Sequence, residues 1–457
     1  MIIKHREQVA IQLIDQWLGY RSRYTNLPGF QVCIRKKGAI IFSKAYGFAN
    51  VTAGTFLTTK HLFHIASHSK TFTACIFLQL ELMGKVKLNY LITDYIPELK
   101  NHTDKRFRKI TIRDLLTHRS GIFRDGLDSV FWELQKPFLS REELLQETLS
   151  TALFYDPNTV TKYSNIGYGL LGVILENLMQ MPYHTVVQDM ILSKLSDNMI
   201  LPDYSGEKTK FADGHTRAYF NGQRRVMKHA AAQGLAPATG FCANAESTSL
   251  FFHEFLLGKK LLTEQAQQEL LSLNWLVKNV KNQHYGLGIQ FDGDDLQLIG
   301  HSGGYPGFVT QTCLIAGTDY VVSFFLNTNE FIPFDVVQGV AGVFNKVKEV
   351  FTNAEAKKAV VTLPMMSKYG ASIHVLSGKK ALYFTLDSWM PHNFCLVFEQ
   401  QKQDDYICYK ESGYGSVGER ISYHKNHQGI IESVKWGSFM YYPEKTFLQK
   451  LESVLIE

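Results

Sequence analysis

Strand-like segments lie near both ends of residues 1–351, and apolar helical segments lie between them. β-Branched residues flank the short link Lys36-Lys37-Gly38, a pattern typical of a β-hairpin. Short apolar runs return between residues 284 and 327, separated by Gly, Asp and Asn, and predict an antiparallel meander. A sheet built from strands at both ends of a segment holds that segment together in one domain. We therefore predict a single α+β domain over residues 1–351.

The pattern changes after a polar link at residues 352–358. Alternating strand-like runs then continue toward the end of the chain. These runs predict a separate all-β domain over residues 359–457, either a small barrel or a sandwich.

The helices of the first domain are predicted from apolar residues at helical spacing and from Gly and Pro at their ends. They cover residues 67–83, 111–116, 165–179, 240–257, 263–273 and 335–351.

The basic residues are scattered along the chain. The net charge is +6, from 48 basic and 42 acidic residues, and the densest basic run is residues 105–109, KRFRK. A nucleic-acid-binding protein concentrates its charge on one face or in a recognisable module. We therefore expect no nucleic-acid partner and interpret the basic run as a solvated loop.

Cysteine usage and the N-terminal residues bear on the compartment. The six cysteines include no Cys-x-x-Cys pair, which favours reduced, buried thiols over disulfides or a zinc ribbon. Residues 1–18 have helical apolar spacing but lack the continuous apolar core of a signal peptide. No apolar run is long enough to span a membrane. We expect a cytoplasmic protein, or a periplasmic one if the gene start is misassigned.

The strongest chemical motif is Ser-x-x-Lys, which begins at Ser67, Ser205, Ser377 and Ser422. Only Ser67 opens an apolar helix. Residues three apart share a helix face, so Lys70 should reach the Ser67 hydroxyl. Burial among apolar neighbours disfavours the charged ammonium, which would make Lys70 a neutral base. We predict that Ser67 is a nucleophile and interpret the other three matches as structural.

Two further motifs contain chemically useful groups. Tyr163-Ser164-Asn165 precedes an apolar helix, which would fix a phenol for proton transfer and an amide for a substrate carbonyl. The Gly-rich segment at residues 300–308 joins two predicted strands, and its backbone N–H groups are suited to binding an oxyanion. The alternatives are a tyrosine packed at a helix start and a simple Gly-rich hairpin.

A metal site is a weaker interpretation. His64 and His68 are four residues apart, but no Glu follows His64, so the zinc-protease signature is absent. We predict no metal ion and no cofactor.

In their order and context these motifs resemble the serine β-lactamase and penicillin-binding-protein-like hydrolases, in the branch related to class C β-lactamases, esterases and D-aminopeptidases. The resemblance covers about residues 28–345 and includes the stretches at 84–88, 110–118 and 301–304. It implies a β-lactamase/transpeptidase-like domain, with an antiparallel sheet flanked by helices and a helical subdomain.

The resemblance also implies residue roles. Ser67 would be the acylated nucleophile, Lys70 its base and Tyr163 a proton-transfer group. The backbone N–H groups of Ser67 and Gly304 would form the oxyanion hole. The residues implied for substrate and oxyanion binding are Asn165, His301, Ser302, Gly303 and Gly304. His118, in a recurring stretch, is interpreted as a packed structural residue.

One departure from the family pattern affects the substrate. The penicillin-handling members have Lys-Thr/Ser-Gly where this chain has His301-Ser302-Gly303. A histidine is mostly neutral at pH 7 and does not supply the permanent charge that binds a substrate carboxylate.

We therefore expect a serine hydrolase that cleaves a small-molecule ester, amide or peptide through an acyl-enzyme on Ser67. One alternative is a β-lactamase or D,D-peptidase acting on cell-wall peptides. The other is a catalytically idle binding or scaffold protein on the same fold. The sequence is also compatible with a homo-oligomer.

Overall fold

The structure is a computed structural model of the 457-residue chain. It describes residues 4–196, 199–277, 280, 282–293, 297–330, 332–361, 365–367, 372–377, 381–386, 394–402, 405–411, 417–427, 430–436 and 439–454. The chain divides into two compact units, Leu27–Val337 and the pair of segments Met1–Asn26 and Gln338–Glu457. The domain bounds 1–351 and 359–457 stay a prediction.

The helices and strands are numbered in chain order. The helices are α1 His5–Tyr24, α2 Ser69–Leu82, α3 Ile112–Leu116, α4 Arg141–Ser150, α5 Asn165–Met179, α6 Tyr183–Met190, α7 Ala245–Leu256, α8 Glu264–Ser272, α9 Pro333–Val350, α10 Asn353–Ala356 and α11 Glu444–Glu452. The strands before residue 330 are β1 Gly29–Lys36, β2 Ala39–Asn50, β3 Thr55–Phe56, β4 Phe63–His64, β5 Ile200–Leu201, β6 Cys242–Ala243, β7 Asn274–Leu276, β8 His284–Gly286, β9 Gln290–Asp292, β10 Leu298–Tyr305, β11 Phe308–Ile315 and β12 Tyr320–Leu326. The later strands are β13 Val360–Val361, β14 Met365–Met366, β15 Ser372–Ser377, β16 Ala381–Leu386, β17 Phe394–Lys402, β18 Asp405–Glu411, β19 Arg420–Lys425, β20 Ile431–Trp436 and β21 Phe439–Pro443.

An antiparallel nine-stranded sheet forms the centre of the Leu27–Val337 unit, in the order β3-β2-β1-β12-β11-β10-β9-β8-β7. Strand β1 pairs with β12, with Phe30 opposite Leu326. The first hairpin and the later meander therefore meet in one sheet, as predicted. Helix α7 packs against β1, β11 and β12 with buried phenylalanines such as Phe252.

A helical part of the same unit adjoins the sheet. Helix α5 follows an N-cap at Ser164, whose hydroxyl accepts from the Gly167 N–H, and it ends before Gln180 in the left-handed region. Its apolar residues are buried from Ile166 to Leu175, because α4, α6 and α2 pack around it. Both α2 and α5 contact the short helical segment Ala236–Gly240. The predicted α+β fold with a helical subdomain is confirmed.

The Gln338–Glu457 segment contains the second sheet. Its order is β13-β15-β14-β21-β20-β19-β18-β17-β16, and an additional pairing joins β15 to β16. The strands β14–β21 thus form a closed ring, which is the barrel alternative of the prediction. Met365, Tyr406 and Val434 belong to its buried core. The segment ends with α11, a helix that the strand pattern did not predict.

Two predicted segments differ from the structure. The Gly-rich stretch at 300–308 is not a loop between strands, because β10 continues through it to Tyr305 before a tight turn. The helix predicted from 240 begins at Ala245, because Cys242–Ala243 pairs as β6 with β4 and β5.

Within the residues that the structure describes, none of the helices has the length and hydrophobicity needed to cross a bilayer.

Candidate active site

Ser67 lies in a sharp helical turn before α2. The turn Ala66–His68 is a 3₁₀ segment that runs directly into the helix. Ala66 adopts a left-handed φ of 49°, which is uncommon for a residue with a Cβ atom. Ser69 holds the turn, since its hydroxyl donates to the Ala66 carbonyl and accepts from the Phe241 N–H at 3.0 Å. Ser67 itself stays partly exposed.

Lys70 is fully buried beneath Ser67. Its Nζ lies 3.3 Å from the Ser67 Oγ, 2.7 Å from the Asn165 Oδ1 and 2.8 Å from the Ala238 carbonyl. The last two atoms can only accept hydrogen bonds. A neutral amine has two N–H groups and one lone pair. If both N–H groups donate to these acceptors, the lone pair is left for the Ser67 hydroxyl proton.

The electrostatics around Lys70 favour that neutral form. Burial lowers the pKa of Lys70 well below its ordinary value, and the positive charge of Arg124 lowers it further. The carboxylate of Asp125 acts in the opposite direction but does not outweigh burial.

Tyr163 lies against both groups. Its side chain hydrogen-bonds to that of Ser67, and its ring centroid is 4.6 Å from the Lys70 Nζ. Burial raises the pKa of Tyr163, and its hydrogen bond with Ser67 only partly offsets this rise. The phenol therefore keeps its proton at neutral pH. The structure thus brings together the three predicted residues Ser67, Lys70 and Tyr163.

Asn165 lies on the far side of Lys70, where it is buried. While its Oδ1 accepts from Lys70, its Nδ2 donates to the Asp125 Oδ1, which also accepts from the Trp132 Nε1 at 3.0 Å. The Asp125 Oδ2 is 3.0 Å from the Arg124 Nε. The amide thus fixes the amine of Lys70, and its assignment to substrate binding stays a prediction.

Arg124 and Asp125 were missed by sequence reasoning. They follow the Ser120-Gly121 turn in an irregular segment, and their positions relative to Asn165 depend on backbone bonds between the two segments. The Asn165 and Ile166 N–H groups both donate to the Arg124 carbonyl, at 2.8 and 3.2 Å. No motif spacing signals this contact.

His301 is buried, and both of its ring nitrogens are engaged inside the protein. Its Nδ1 lies 2.6 Å from the Ser302 carbonyl and therefore donates, so its Nε2 accepts from the Tyr285 hydroxyl at 3.0 Å. Burial lowers the pKa of His301 well below its ordinary value, and the nearby Lys70 and His68 add to this. The ring is therefore neutral, and its role in substrate binding stays a prediction.

His118 is buried beside Tyr163 and Tyr285 and packs its ring against both. Its ring centroid lies 4.2 Å from that of Tyr163 and 4.5 Å from that of Tyr285. Its Nδ1 accepts from the Ser164 N–H at 3.1 Å, which ties it to the segment that carries Tyr163. His118 is thus a packed residue, as expected from the sequence. Tyr285 had no sequence signal, because its partners come from distant segments.

The edge of β10 faces the site beyond Gly300. Pairing with β9 covers only Leu298 to Gly300, and the Ser302 N–H donates instead to the Gln290 side chain at 2.9 Å. Backbone N–H groups two residues apart point to the same edge of a strand, so the Gly304 N–H points the same way. A Cβ atom on Gly304 would meet nothing within 4 Å. This edge has the open space that an oxyanion hole requires.

Gly303 lies closer to the Ser67 turn. A Cβ atom there would lie only 2.2 Å from the Ile65 carbonyl oxygen. Any side chain at this position would therefore push β10 away from the segment that leads to Ser67.

We expect Gly303→Ala to destabilise the protein by about 1–3 kcal/mol, because the new methyl group overpacks a backbone contact. Gly304→Ala is the matched control, since its methyl group enters open space, and its free energy of unfolding should stay near that of the wild type. Urea unfolding followed by circular dichroism measures both variants. Equal stability of the two variants would contradict the close contact between β10 and Ile65.

The two histidines weighed as metal ligands have other partners. The His64 Nε2 lies 3.0 Å from the His229 Nδ1, and the His68 Nδ1 lies 2.8 Å from the Ile65 carbonyl. Burial lowers the pKa of His68 to about 3. In the described ranges, no group of three or more His, Cys, Asp or Glu side chains is arranged to hold a metal ion.

Known proteins share this fold and parts of the sequence. A structure of the D-amino acid amidase from Ochrobactrum anthropi SV3, complexed with D-phenylalanine, has a TM-score of 0.62 at 20% identity and covers 76% of this chain and 99% of that chain. The octameric penicillin-binding protein homologue from Pyrococcus abyssi has a TM-score of 0.64 at 18% identity and covers 94% and 98%. These similarities show the fold alone.

Among curated proteins, protein flp of Staphylococcus aureus (strain COL) is 24% identical over 328 residues. The match covers 70% of this chain and 64% of flp, so the chain spans less than two thirds of that relative's length. The model of the Beta-lactamase family matches residues 14–341, which include every residue of the site described above. The chain therefore belongs to the Beta-lactamase family.

Proposed function

We propose that this protein is a serine hydrolase that cleaves esters or amides through an acyl-enzyme on Ser67. The observation that carries the proposal is the set of three contacts around the buried Lys70 amine. Two of its neighbours only accept hydrogen bonds, and the third is the partly exposed Ser67 hydroxyl. A buried amine in this setting is suited to a base beside a nucleophile.

In the proposed acylation step, the Ser67 Oγ attacks the substrate carbonyl carbon and its proton moves to the Lys70 Nζ. The backbone N–H groups of Ser67 and Gly304 stabilise the oxyanion. The carbonyl re-forms as the bond to the leaving alkoxide or amine breaks. The proton held by Lys70 passes by way of the Tyr163 hydroxyl to the leaving group, which leaves the Lys70 amine neutral again. Tyr163 is neutral and bonded to Ser67, so it suits a group that gains one proton as it gives up another.

In deacylation, water attacks the acyl carbon and gives one proton to Lys70. The bond to the Ser67 Oγ then breaks, and Lys70 returns its proton to this oxygen. The net reaction consumes one water and yields an acid and an alcohol or amine. No cofactor takes part in this scheme.

The surroundings of His301 support an ester or a neutral amide as substrate, rather than a β-lactam. The family's Lys-Thr/Ser-Gly motif has a cation at this position, whereas the His301 ring is neutral and buried. A charge-assisted hydrogen bond to a substrate carboxylate contributes about 1.5–3 kcal/mol, or roughly tenfold to a hundredfold in kcat/KM. Its absence should penalise carboxylate-bearing substrates by that factor.

The experiment is a panel of p-nitrophenyl esters, D-amino-acid anilides and a chromogenic cephalosporin, together with a fluorophosphonate probe and a fluorescent penicillin. We expect probe labelling, and a kcat/KM for the best ester or anilide at least about tenfold above that for the cephalosporin. Preferred turnover of the cephalosporin would favour the β-lactamase or D,D-peptidase alternative. A folded protein that neither probe labels would indicate a scaffold and contradict the proposal.

Self-association is a second part of the proposal. The Pyrococcus abyssi homologue is octameric, and its structure covers 94% of this chain. Light scattering of the purified protein would test for a comparable oligomer.

A further inference from the structure

A cavity of about 560 Å³ opens on the Leu27–Val337 unit, and its lining carries a net positive charge. It is lined by four basic and two acidic side chains, an excess of two positive charges. Two of the basic residues, Arg106 and Lys109, come from the run that sequence reasoning interpreted as a solvated loop. The other two are Arg113 and Arg119.

Both carboxylates that line this cavity have partners other than Lys109, Arg113 and Arg119. Asp156 lies 3.1 Å from Arg106, which is also bound by Asp104 at 2.7 Å. The Asp114 Oδ2 accepts from the N–H and the hydroxyl of Thr111 as part of the α3 capping box. These carboxylates are therefore not directed at the remaining cations.

Two of the three remaining cations, Arg113 and Arg119, are held by neutral partners. The Arg113 Nε donates to the Asn89 Oδ1 at 3.1 Å. Arg119 donates twice to Asn158, from its Nε to the Oδ1 at 2.9 Å and from one Nη to the backbone carbonyl at 2.6 Å. Across the described part of the chain, neither arginine forms a salt bridge, and neither does Lys109. The bonds to neutral oxygens fix each guanidinium and leave N–H groups that can still donate.

The cavity lining also includes one aromatic residue, Trp275. The Arg119 guanidinium carbon lies 5.5 Å from the centroid of the Trp275 ring. This cation–π contact and the two bonds to Asn158 fix the guanidinium, so its remaining N–H groups keep one direction before a ligand arrives. Guanidinium N–H groups held in a fixed direction form strong, charge-assisted hydrogen bonds to phosphate and carboxylate oxygens.

We propose that this cavity is a binding site for a small solute that carries two or more negative charges on phosphate or carboxylate groups. Lys109, Arg113 and Arg119 bind its oxygens. The site is separate from the Ser67 cleft and does not depend on hydrolase activity. It lies beside the catalytic segment, because the Asn158 N–H donates to the Arg119 carbonyl at 2.7 Å in the loop that leads to Tyr163.

Calorimetric titration of the intact protein tests the proposal, with pyrophosphate in one arm and citrate in the other. Sodium chloride matched in ionic strength is the blank. Saturable binding of either anion is expected, and the tighter one identifies phosphate or carboxylate as the preferred group. Lys109→Gln and Arg113→Gln should each weaken this binding by roughly tenfold or more.

Arg108→Gln is the matched control. Arg108 lies in the same basic run, but its Nε donates to the Lys100 carbonyl and it does not line the cavity. Its affinity should equal that of the wild type, and melting temperatures establish that all three variants are folded. The proposal is overturned if neither anion binds the wild-type protein, or if Arg108→Gln weakens binding as much as Lys109→Gln does.

Discussion

Replacing Ser67 with Ala should abolish labelling by a fluorophosphonate probe and lower kcat/KM by about 10⁴-fold or more. Lys70 and Tyr163 both bond to the Ser67 side chain, so the variant loses the atom on which both groups would act. The turn should survive the change, because Ser69 rather than Ser67 ties it to Ala66 and Phe241. Mass spectrometry of the intact protein should find one probe per wild-type chain and none on the variant.

Ser205→Ala is the control for this experiment. Ser205 begins another Ser-x-x-Lys match, but it is exposed in a loop and no apolar helix follows it. Its labelling and turnover should equal those of the wild type. Labelling that persists in Ser67→Ala would mean that another residue is the nucleophile.

Replacing Lys70 with Ala should slow acylation by about 10²–10⁴-fold while leaving Ser67 in place, because the variant loses the proposed general base. The change also leaves the Asn165 Oδ1 and the Ala238 carbonyl without their partner, at a cost of about 1–3 kcal/mol. Stopped-flow acylation at a temperature well below the measured melting point separates the chemical loss from unfolding. Lys208→Ala, in the exposed match that begins at Ser205, should acylate at the wild-type rate.

The pH dependence of wild-type acylation gives a second test that needs no variant. Below the pKa of Lys70 the amine is protonated and cannot accept the Ser67 proton, so the rate should fall as pH falls through that value. Because burial holds this pKa well below the ordinary 10.5, the rate should reach its plateau well before pH 10.5. A rate that keeps rising through pH 10.5 would show that Lys70 titrates normally and would contradict its role as a neutral base.

Local signals predicted several elements well. Helix α5 lies at the predicted 165–179, because its apolar run and its Ser164 cap act within a few residues of chain. The Thr111 capping box at α3 is likewise a local hydrogen-bond pattern. Pairing of β1 with β12 followed from strand patterns at both ends of the unit.

Local signals failed where a distant segment decided the conformation. The glycines from 300 to 304 suggested a loop, yet β10 passes through them. Gly303 lets the strand lie against the Ile65 backbone, where any Cβ atom would clash. The local pattern predicts a helix that includes Cys242 and Ala243, but pairing with β4 and β5 holds them extended. In both cases a contact with a segment far along the chain outweighs local preference.

Some features of the candidate site likewise follow from local sequence, and others depend on contacts between distant segments. The sequence by itself determined the pairing of Ser67 with Lys70, because a spacing of three residues at a helix start places both on one face. It also determined that Lys70 is surrounded by apolar neighbours. Only the tertiary structure decided the hydrogen bonds of Lys70 to Asn165 and Ala238, the support of Asn165 by Asp125, and the neutral His301 ring bonded to Tyr285. These partners are separated by tens of residues or more, and their distances depend on how helices and strands pack, which no local spacing records.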